Sequence, residues 1–331
     1  METATTDKIL EGNSPEIDAL REVLVRCIHP EPSIVEAHLH NVERDFLLGG
    51  TKTLVHCYAP TLDGNGRVRI NALAEFMRDR VLRFVIPRRD VLRAEAAKQE
   101  SGDMSGYIRL HERAKLAFTT IENTGEGGEF LLFALAEKEF SLAQILSKMS
   151  LKTSRLMHYH GADGVYASVD AKGVLSLYWG ESKLYESPKA AITDCLKSLA
   201  PHLSDGLGEA VPSGQDIVLL NEYADIGDET ACAILKRFLD PNDSQAQKLK
   251  ICGIALVTFD NDAFPQGGAT GGVWEEIELE LKSSLRNWKK HIRKRVGVEE
   301  LTAFDIHFIC LPMSRADDFR KAFLGLLGPA T

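Results

Sequence analysis

The chain has 331 residues, of which 44% are hydrophobic, and its formal net charge at pH 7 is −9. This length allows one large domain or two modest ones with a sizeable core, while the acidic balance excludes a global positive field that would attract nucleic acid. The polar N-terminus lacks a signal-peptide pattern, and no apolar run approaches the roughly 20 residues that cross a bilayer, so we expect a cytoplasmic protein without membrane contact.

The first part of the chain predicts a small α+β region. A helix is expected from Pro15 to Arg26, a strand from Thr51 to Tyr58, and an amphipathic stretch from Ile70 to Phe84. The polar stretch from Arg93 to Asp103 and the glycines at 125–128 then separate this region from the rest of the chain. The pattern therefore favours a domain boundary between these two features.

A boundary near residue 110 divides the chain into an N-terminal α+β region, 1–110, and a second domain, 111–331. We interpret the N-terminal region as the part of the chain to which a partner docks. The second predicts, in chain order, helix 129–140, strands Val165–Val169 and Val174–Trp179, a helix from Pro188, helical residues around 216–240, strand 250–259, helix Val273–Arg295, strand 305–311 and helix Ser314–Leu327. Because residues 250–259 are nearly all apolar, that strand is expected at the centre of the sheet. The order favours an α/β sandwich around a mixed sheet.

The two strands after residue 160 are joined by Asp170-Ala171-Lys172-Gly173, a sequence typical of hairpin turns. A three-residue loop or a bulge sets Asp163 opposite Glu181, whereas a strict two-residue loop shifts the partner by one position. Lys183 lies two residues beyond Glu181 and therefore points to the same face. Two carboxylates and one ammonium are thus expected to converge on this hairpin.

This grouping suits the hydrolysis of a phosphodiester. Opposed side chains on one sheet face have β-carbons roughly 5 Å apart, so Asp163 and Glu181 are candidate ligands of one Mg²⁺ or Mn²⁺ ion. Such an ion lowers the pKa of a bound water and offsets charge on the phosphate, while Lys183 stabilises the transition state or orients the water. The alternative is a solvated charged pair on an edge hairpin, because an ExK triplet alone is a weak signal.

Glu129 is a further candidate, because it lies on the same helical face as Leu132, Phe133 and Ala136. A carboxylate on an apolar face is unusual unless the fold uses it, and a third metal ligand is one such use. The other interpretation is equally open, since an acidic residue in the first turn of a helix offsets the helix dipole.

Four segments of the chain resemble HamA, the nuclease subunit of the two-protein Hachiman anti-phage defence system. They are Gly128–Phe140, Ser147–Thr153, Gly161–Val165 and Tyr178–Tyr185. The resemblance covers residues 125–200 well and the rest only in element order, and Trp179-Gly180-Glu181-Ser182-Lys183 is its most specific part. Ala162 stands where the generic PD-(D/E)xK motif has proline, but many members of that superfamily lack the proline.

The resemblance implies a restriction-endonuclease-like core, a mixed sheet flanked by helices, with a PD-(D/E)xK site. It implies that Asp163, Glu181 and Lys183 take the motif positions and that Glu129 takes the helix-borne acidic position. The implied activity is that of a Mg²⁺-dependent endo- or exodeoxyribonuclease in the bacterial cytoplasm. The implied partner is HamB, an ATP-dependent helicase that holds the nuclease inactive until phage attack or DNA damage engages the helicase.

Two other interpretations stand beside the nuclease. His158 and His160 with Asp163 resemble the zinc ligands of metallo-β-lactamase-like hydrolases, but Asp163 comes one residue late and Gly164 stands where a ligand histidine is needed. Alternatively, the chain is a non-catalytic, nuclease-like scaffold subunit of an ATP-driven DNA-processing complex. The intact acidic pair and lysine of the hairpin argue against this second alternative.

The long helix from Val273 to Arg295 is the candidate DNA contact. Its second half is basic, and the residues expected to bind DNA are Lys282, Arg286, Lys289, Lys290, Arg293 and Lys294. Contacts of this kind act through phosphates and carry no sequence preference. The alternative is a solvated helix, because the glutamates that precede these bases complement the helix dipole together with them.

Overall fold

The computed structural model describes residues 14–28, 34–118, 125–149, 161–204 and 212–328. In these ranges a seven-stranded mixed sheet is flanked by helices, which confirms the predicted α/β class. The strands are β1 (Leu39–Leu47), β2 (Thr53–Pro60), β3 (Ala143–Ser147), β4 (Gly164–Val169), β5 (Leu175–Tyr185), β6 (Leu249–Asp260) and β7 (Asp305–Met313). The α-helices are α1 (Pro15–Cys27), α2 (Ile70–Arg78), α3 (Val81–Val85), α4 (Arg88–Ser101), α5 (Ser105–Leu116), α6 (Glu126–Phe140), α7 (Pro188–Ser204), α8 (Pro212–Tyr223), α9 (Glu229–Leu239), α10 (Trp274–Val298) and α11 (Ala316–Leu327).

The sheet runs in the order β1-β2-β7-β6-β5-β4-β3. Its four central strands, β2, β7, β6 and β5, are parallel, and antiparallel pairs lie at both edges. β6 lies between β5 and β7, and its residues from Cys252 to Phe259 are all buried. Both of its faces are covered, which explains the nearly all-apolar sequence and confirms the predicted central strand.

Helices cover both faces of the sheet, and the sheet divides the core into two clusters. The first cluster holds Trp179 of β5 with apolar residues of α1, α7, α9 and α10. The second holds Leu184 of β5 and Phe130 of α6 with residues of α2 and α11. Because side chains alternate along a strand, those of β5 meet α7 on one face of the sheet and α6 on the other. Among the described helices, none is long and apolar enough to cross a membrane.

The N-terminal strands belong to the same sheet as the rest of the fold. β2 pairs with β7 in a parallel register that sets Val55 opposite Phe308. The sheet is therefore continuous across the predicted boundary, and residue 110 lies inside α5. The division into 1–110 and 111–331 stays a prediction about folding units.

The polar stretch interpreted as a separator is helical. Residues 93–101 belong to α4, of which Ala94 alone is buried. The polar composition thus reflects a solvated helix and not a break in the fold. Gly102 ends the helix in the left-handed conformation, with φ 73°.

Two edge strands, β1 and β3, were not predicted. The pairing of β1 with β2 shifts between Asn41 and Phe46, and most of β1 is exposed. These shifts disturb the alternation of apolar and polar residues from which a strand is recognised. β3 has five residues, all buried, a run too short for its periodicity to separate strand from helix.

Candidate active site

The hairpin of β4 and β5 has a three-residue loop, one of the two alternatives that its sequence allows. The loop, residues 171–173, is closed by Asp170, whose backbone N–H donates to the carbonyl oxygen of Val174 at 3.1 Å. Asp170 Oδ1 also accepts from the backbone N–H groups of Lys172 and Val174, at 2.8 and 2.9 Å. Gly173 provides the left-handed residue of the loop, with φ 77°.

This loop brings the two predicted carboxylates side by side. Gly164 pairs with Gly180, so the next position on each strand sets Asp163 beside Glu181. The N–H of Asp163 donates to the carbonyl oxygen of Gly180 at 3.0 Å, which ties Asp163 to β5 although it precedes β4. Asp163 and Glu181 are 7% and 6% exposed. The predicted pair therefore lies within the fold and not on a solvated hairpin edge.

Ser182 holds the carboxylate of Asp163 in place. Asp163 Oδ2 accepts hydrogen bonds from the backbone N–H and from the hydroxyl of Ser182, each at 2.9 Å. α6 approaches this point closely because Gly128 has no side chain, and a β-carbon there would lie 3.3 Å from Ser182 Oγ. Gly128, one of the glycines at 125–128 interpreted as part of a separator, thus allows the first turn of α6 to pack against the site.

Glu181 and Lys183 form an ion pair on one face of β5, as their spacing predicts. Lys183 Nζ lies 2.5 Å from Glu181 Oε1, and both side chains are largely buried. Burial and the neighbouring carboxylate of Asp163 raise the pKa of Glu181 to about 7. Burial alone would lower the pKa of Lys183, but the charge and the hydrogen bond of Glu181, together with the charge of Asp163, outweigh burial and raise that pKa. Lys183 therefore remains an ammonium at neutral pH.

A second lysine, absent from the predicted site residues, lies among the carboxylates. Lys148, directly after β3, places its Nζ 3.2 Å from Asp163 Oδ1 and 3.7 Å from Glu129 Oε1. Burial would lower the pKa of Lys148, but the charges of Asp163 and Glu129 raise it. Glu129 itself is 5% exposed and lies in the first turn of α6. No local sequence pattern indicates this contact, because it joins three separate elements.

The arrangement fits one divalent ion held by two carboxylates. Burial, and after it the charge of Asp163, raises the pKa of Glu181, and a cation bound beside the two carboxylates would favour the charged form of Glu181. Mg²⁺ is usually bound through one or two carboxylates and keeps several waters. Within the described ranges, no three His, Cys, Asp or Glu side chains are grouped closely enough to hold an ion by themselves. Glu129 as a third ligand stays a prediction, and His158 and His160 lie outside the described residues.

Helix α10 keeps part of its basic charge exposed. Four of the predicted DNA contacts are exposed and have no ion pair within the described residues: Arg286, Lys290, Arg293 and Lys294. Lys282 is also exposed but pairs with Glu278 one turn earlier, at 2.7 Å. Lys289 pairs with Glu43 of β1, and its ammonium lies 3.3 Å from the ring centroid of Phe46. Lys289 is therefore part of the internal packing of α10 against β1.

Comparison with known proteins identifies the family of the chain. The family model described as HamA matches residues 34–326, nearly the whole chain. The match extends well beyond residues 125–200, on which the resemblance in sequence was strongest, and it spans both the hairpin and α10. No curated protein matches the chain at a significant level.

Proposed function

Because the chain belongs to the HamA family and is thereby a component of Hachiman anti-phage defence, we propose that it is a divalent-metal-dependent DNA nuclease. The observation that supports this most is the meeting of Asp163, Glu181 and Lys183 at one end of a hairpin inside the sheet. Burying two carboxylates and an ammonium is unfavourable for stability, so their common position suggests a chemical use. Hydrolysis of a phosphodiester is the reaction that this set of groups suits best.

Each side chain has its own task in that reaction. A bound Mg²⁺ or Mn²⁺ supplies a water of lowered pKa and offsets the charge of the phosphate. Asp163 and Glu181 would hold the ion, and Ser182 orients the carboxylate of Asp163 through two hydrogen bonds. The ammonium of Lys183, fixed beside Glu181, would stabilise the negative charge that develops on the scissile phosphate.

The exposed cations of α10 would hold the DNA. α10 packs against α7, where His291 Nε2 lies 3.0 Å from Thr193 Oγ1, and α7 covers the face of β5 to which Glu181 points. The exposed bases are therefore on the same side of the sheet as Glu181. Contacts from Arg286, Lys290, Arg293 and Lys294 to phosphates would supply affinity for any DNA sequence.

Control by an ATP-dependent helicase of the HamB type is a further part of the proposal. A net charge of −9 gives the isolated chain little long-range attraction to DNA. A helicase that binds both DNA and this chain would supply the substrate and would also determine when it is cut. Phosphate contacts without sequence preference require such control, because the DNA of the cell itself is otherwise a substrate.

A non-catalytic scaffold subunit is the alternative function, and plasmid cleavage separates the two. Purified chain should nick supercoiled plasmid with Mg²⁺ or Mn²⁺, and EDTA should abolish the reaction. Asp163→Asn keeps the size of the side chain but removes its charge, so it should cut on the order of a hundredfold more slowly. A wild-type chain that leaves the plasmid intact with both ions would favour the scaffold.

A further inference from the structure

Lys148 is the cation that lies beside Asp163. Its Nζ lies between two carboxylates, 3.2 Å from Asp163 Oδ1 and 3.7 Å from Glu129 Oε1. Within the part of the chain that the structure describes, two ammonium groups lie beside the three carboxylates of the site, since Lys183 pairs with Glu181. Both lysines are partly buried, with 25% and 22% of their side chains exposed.

Both oxygens of the Asp163 carboxylate already have partners. Oδ2 accepts two hydrogen bonds from Ser182, whose backbone is part of β5 and therefore cannot easily move. Oδ1 is in contact with Lys148, which has four rotatable bonds and can move away. Mg²⁺ binds a carboxylate oxygen at about 2.0–2.1 Å. An ion that binds Oδ1 therefore has to displace the ammonium of Lys148.

We propose that Lys148, whose ammonium lies between Asp163 and Glu129, is a built-in counter-ion that competes with the divalent metal for the carboxylate of Asp163. In the metal-free chain it holds the two carboxylates together, and binding of the ion displaces its ammonium from Asp163 Oδ1. The displacement lowers the affinity of the site for the ion, so the site fills at a higher metal concentration than its carboxylates alone would require. This inference rests on the proposed metal-dependent function and adds a residue that sets the metal affinity.

Removal of the charge at position 148 should therefore strengthen metal binding. Titration calorimetry with Mn²⁺, without DNA, compares wild type, Lys148→Met and Lys172→Met. Methionine keeps most of the length of lysine without its charge, and Lys172 is an exposed residue of the hairpin loop whose replacement removes the same charge far from the site. We expect Lys148→Met to bind Mn²⁺ about tenfold more tightly than wild type, and Lys172→Met to stay within about twofold of wild type.

The opposite substitution tests the same point from the other side. Arginine at position 148 keeps the charge and can contact both Asp163 and Glu129 with its fork of N–H groups, so Lys148→Arg should bind Mn²⁺ more weakly than wild type. This variant decides the question if Lys148→Met does not fold, as judged by circular dichroism. Lys148→Met no tighter than wild type, or Lys148→Arg no weaker, would overturn the inference.

The titrations also separate this inference from the proposed function. Asp163→Asn should lose Mn²⁺ binding whatever the role of Lys148, because it removes a ligand. Mn²⁺ binding that depends on Asp163 but not on Lys148 would overturn the inference and leave the nuclease in place. A folded wild type and a folded Lys148→Met that both fail to bind Mn²⁺ would remove the metal site itself, and with it the inference and the proposed function.

Discussion

Ser182 acts on the site through Asp163, to which it donates one hydrogen bond from its backbone and one from its hydroxyl. Ser182→Ala removes the second bond alone. A hydrogen bond to a charged group contributes about 1.5–3 kcal/mol, so we expect the cleavage rate to fall on the order of tenfold while the affinity for DNA is unchanged. Single-turnover cleavage and a separate metal-free binding assay measure the two quantities. Lost affinity with an unchanged rate would assign Ser182 to DNA binding instead.

Glu137 makes the stability of the chain depend on pH. It lies on α6 two turns after Glu129, and burial raises its pKa to about 7 although Arg83, Arg88 and Lys138 act in the opposite direction. The folded chain thus keeps this proton up to about pH 7, whereas the unfolded chain loses it near the ordinary value of 4.5. Its stabilising effect is complete below that ordinary value and is lost as the pH rises through the folded value.

Glu137→Gln should remove this dependence, because glutamine is neutral at every pH. Between pH 5 and pH 8 the wild type should lose on the order of 2 kcal/mol of unfolding free energy relative to the variant. Urea denaturation of both proteins at several pH values measures the difference. Parallel curves across that range would mean that Glu137 ionises normally in the folded chain.

The placement of three candidate residues could be predicted because local rules limit it. The turn chemistry of residues 170–173 allows two registers, both of which make Asp163 and Glu181 neighbours, and the alternation of a strand puts Lys183 on the same face as Glu181. Lys148 follows no such rule, since its carboxylate partners come from α6 and from the residue before β4. Contacts between elements distant in sequence depend on packing, which no spacing within one element reveals.

At the scale of elements, the basic residues of α10 are expected to have two different roles, DNA binding and packing within the fold. Replacement by Gln of four exposed residues, Arg286, Lys290, Arg293 and Lys294, should weaken binding to all DNA sequences alike and flatten its dependence on salt. Fluorescence anisotropy in metal-free buffer with two unrelated duplexes measures both effects. Unchanged affinity for DNA would favour the alternative, that α10 is a solvated helix without a role in DNA binding.

Lys289 provides the matched control on the same helix. It pairs with Glu43 and covers the ring of Phe46, so Lys289→Gln should lower the melting temperature and leave DNA affinity close to that of wild type. The four exposed positions should behave in the opposite way. If DNA binding depended on Lys289 as much as on those four residues, the contacts of Lys289 within the fold would not distinguish it from the DNA-binding residues.

The predictability of an element depends on the strength of its repeating pattern. The central strand β6 and the long helix α10 are recognisable because twelve and twenty-five residues keep one pattern. β1 loses its pattern through shifts in pairing, and β3 is too short to have one. α4 was interpreted as a separator because a helix that buries a single residue has almost no apolar stripe.

At the scale of the whole molecule, the N-terminal strands and the candidate site lie towards opposite edges of the sheet. β1 and β2 form one edge of the sheet, while the candidate site lies next to the other edge, on β4 and β5. The N-terminal edge is therefore available to a partner without covering Asp163. The sheet order could not be predicted, because β7 pairs with β2 across most of the sequence and no local pattern records that pairing.

We expect the chain to form a stable complex with an ATP-dependent helicase through this N-terminal region. Co-expression and size-exclusion chromatography test the complex. Within it, cleavage of intact circular DNA should be slower than by the isolated chain, and ATP with open-ended DNA should restore the rate. A complex that cuts intact circles as fast as the isolated chain would exclude control by the helicase.

Cleavage of plasmid DNA by Lys183→Ala is the most direct test of the nuclease. Lys183 contacts Glu181 on β5 and would act on the charge that develops at the phosphate, so its removal should slow cleavage in Mg²⁺ by about 10²–10³-fold. DNA binding and the melting temperature should stay close to those of wild type, and Lys172→Ala, on the same hairpin, should cut normally. Cleavage by Lys183→Ala at the wild-type rate would contradict the assignment of this hairpin as the active site.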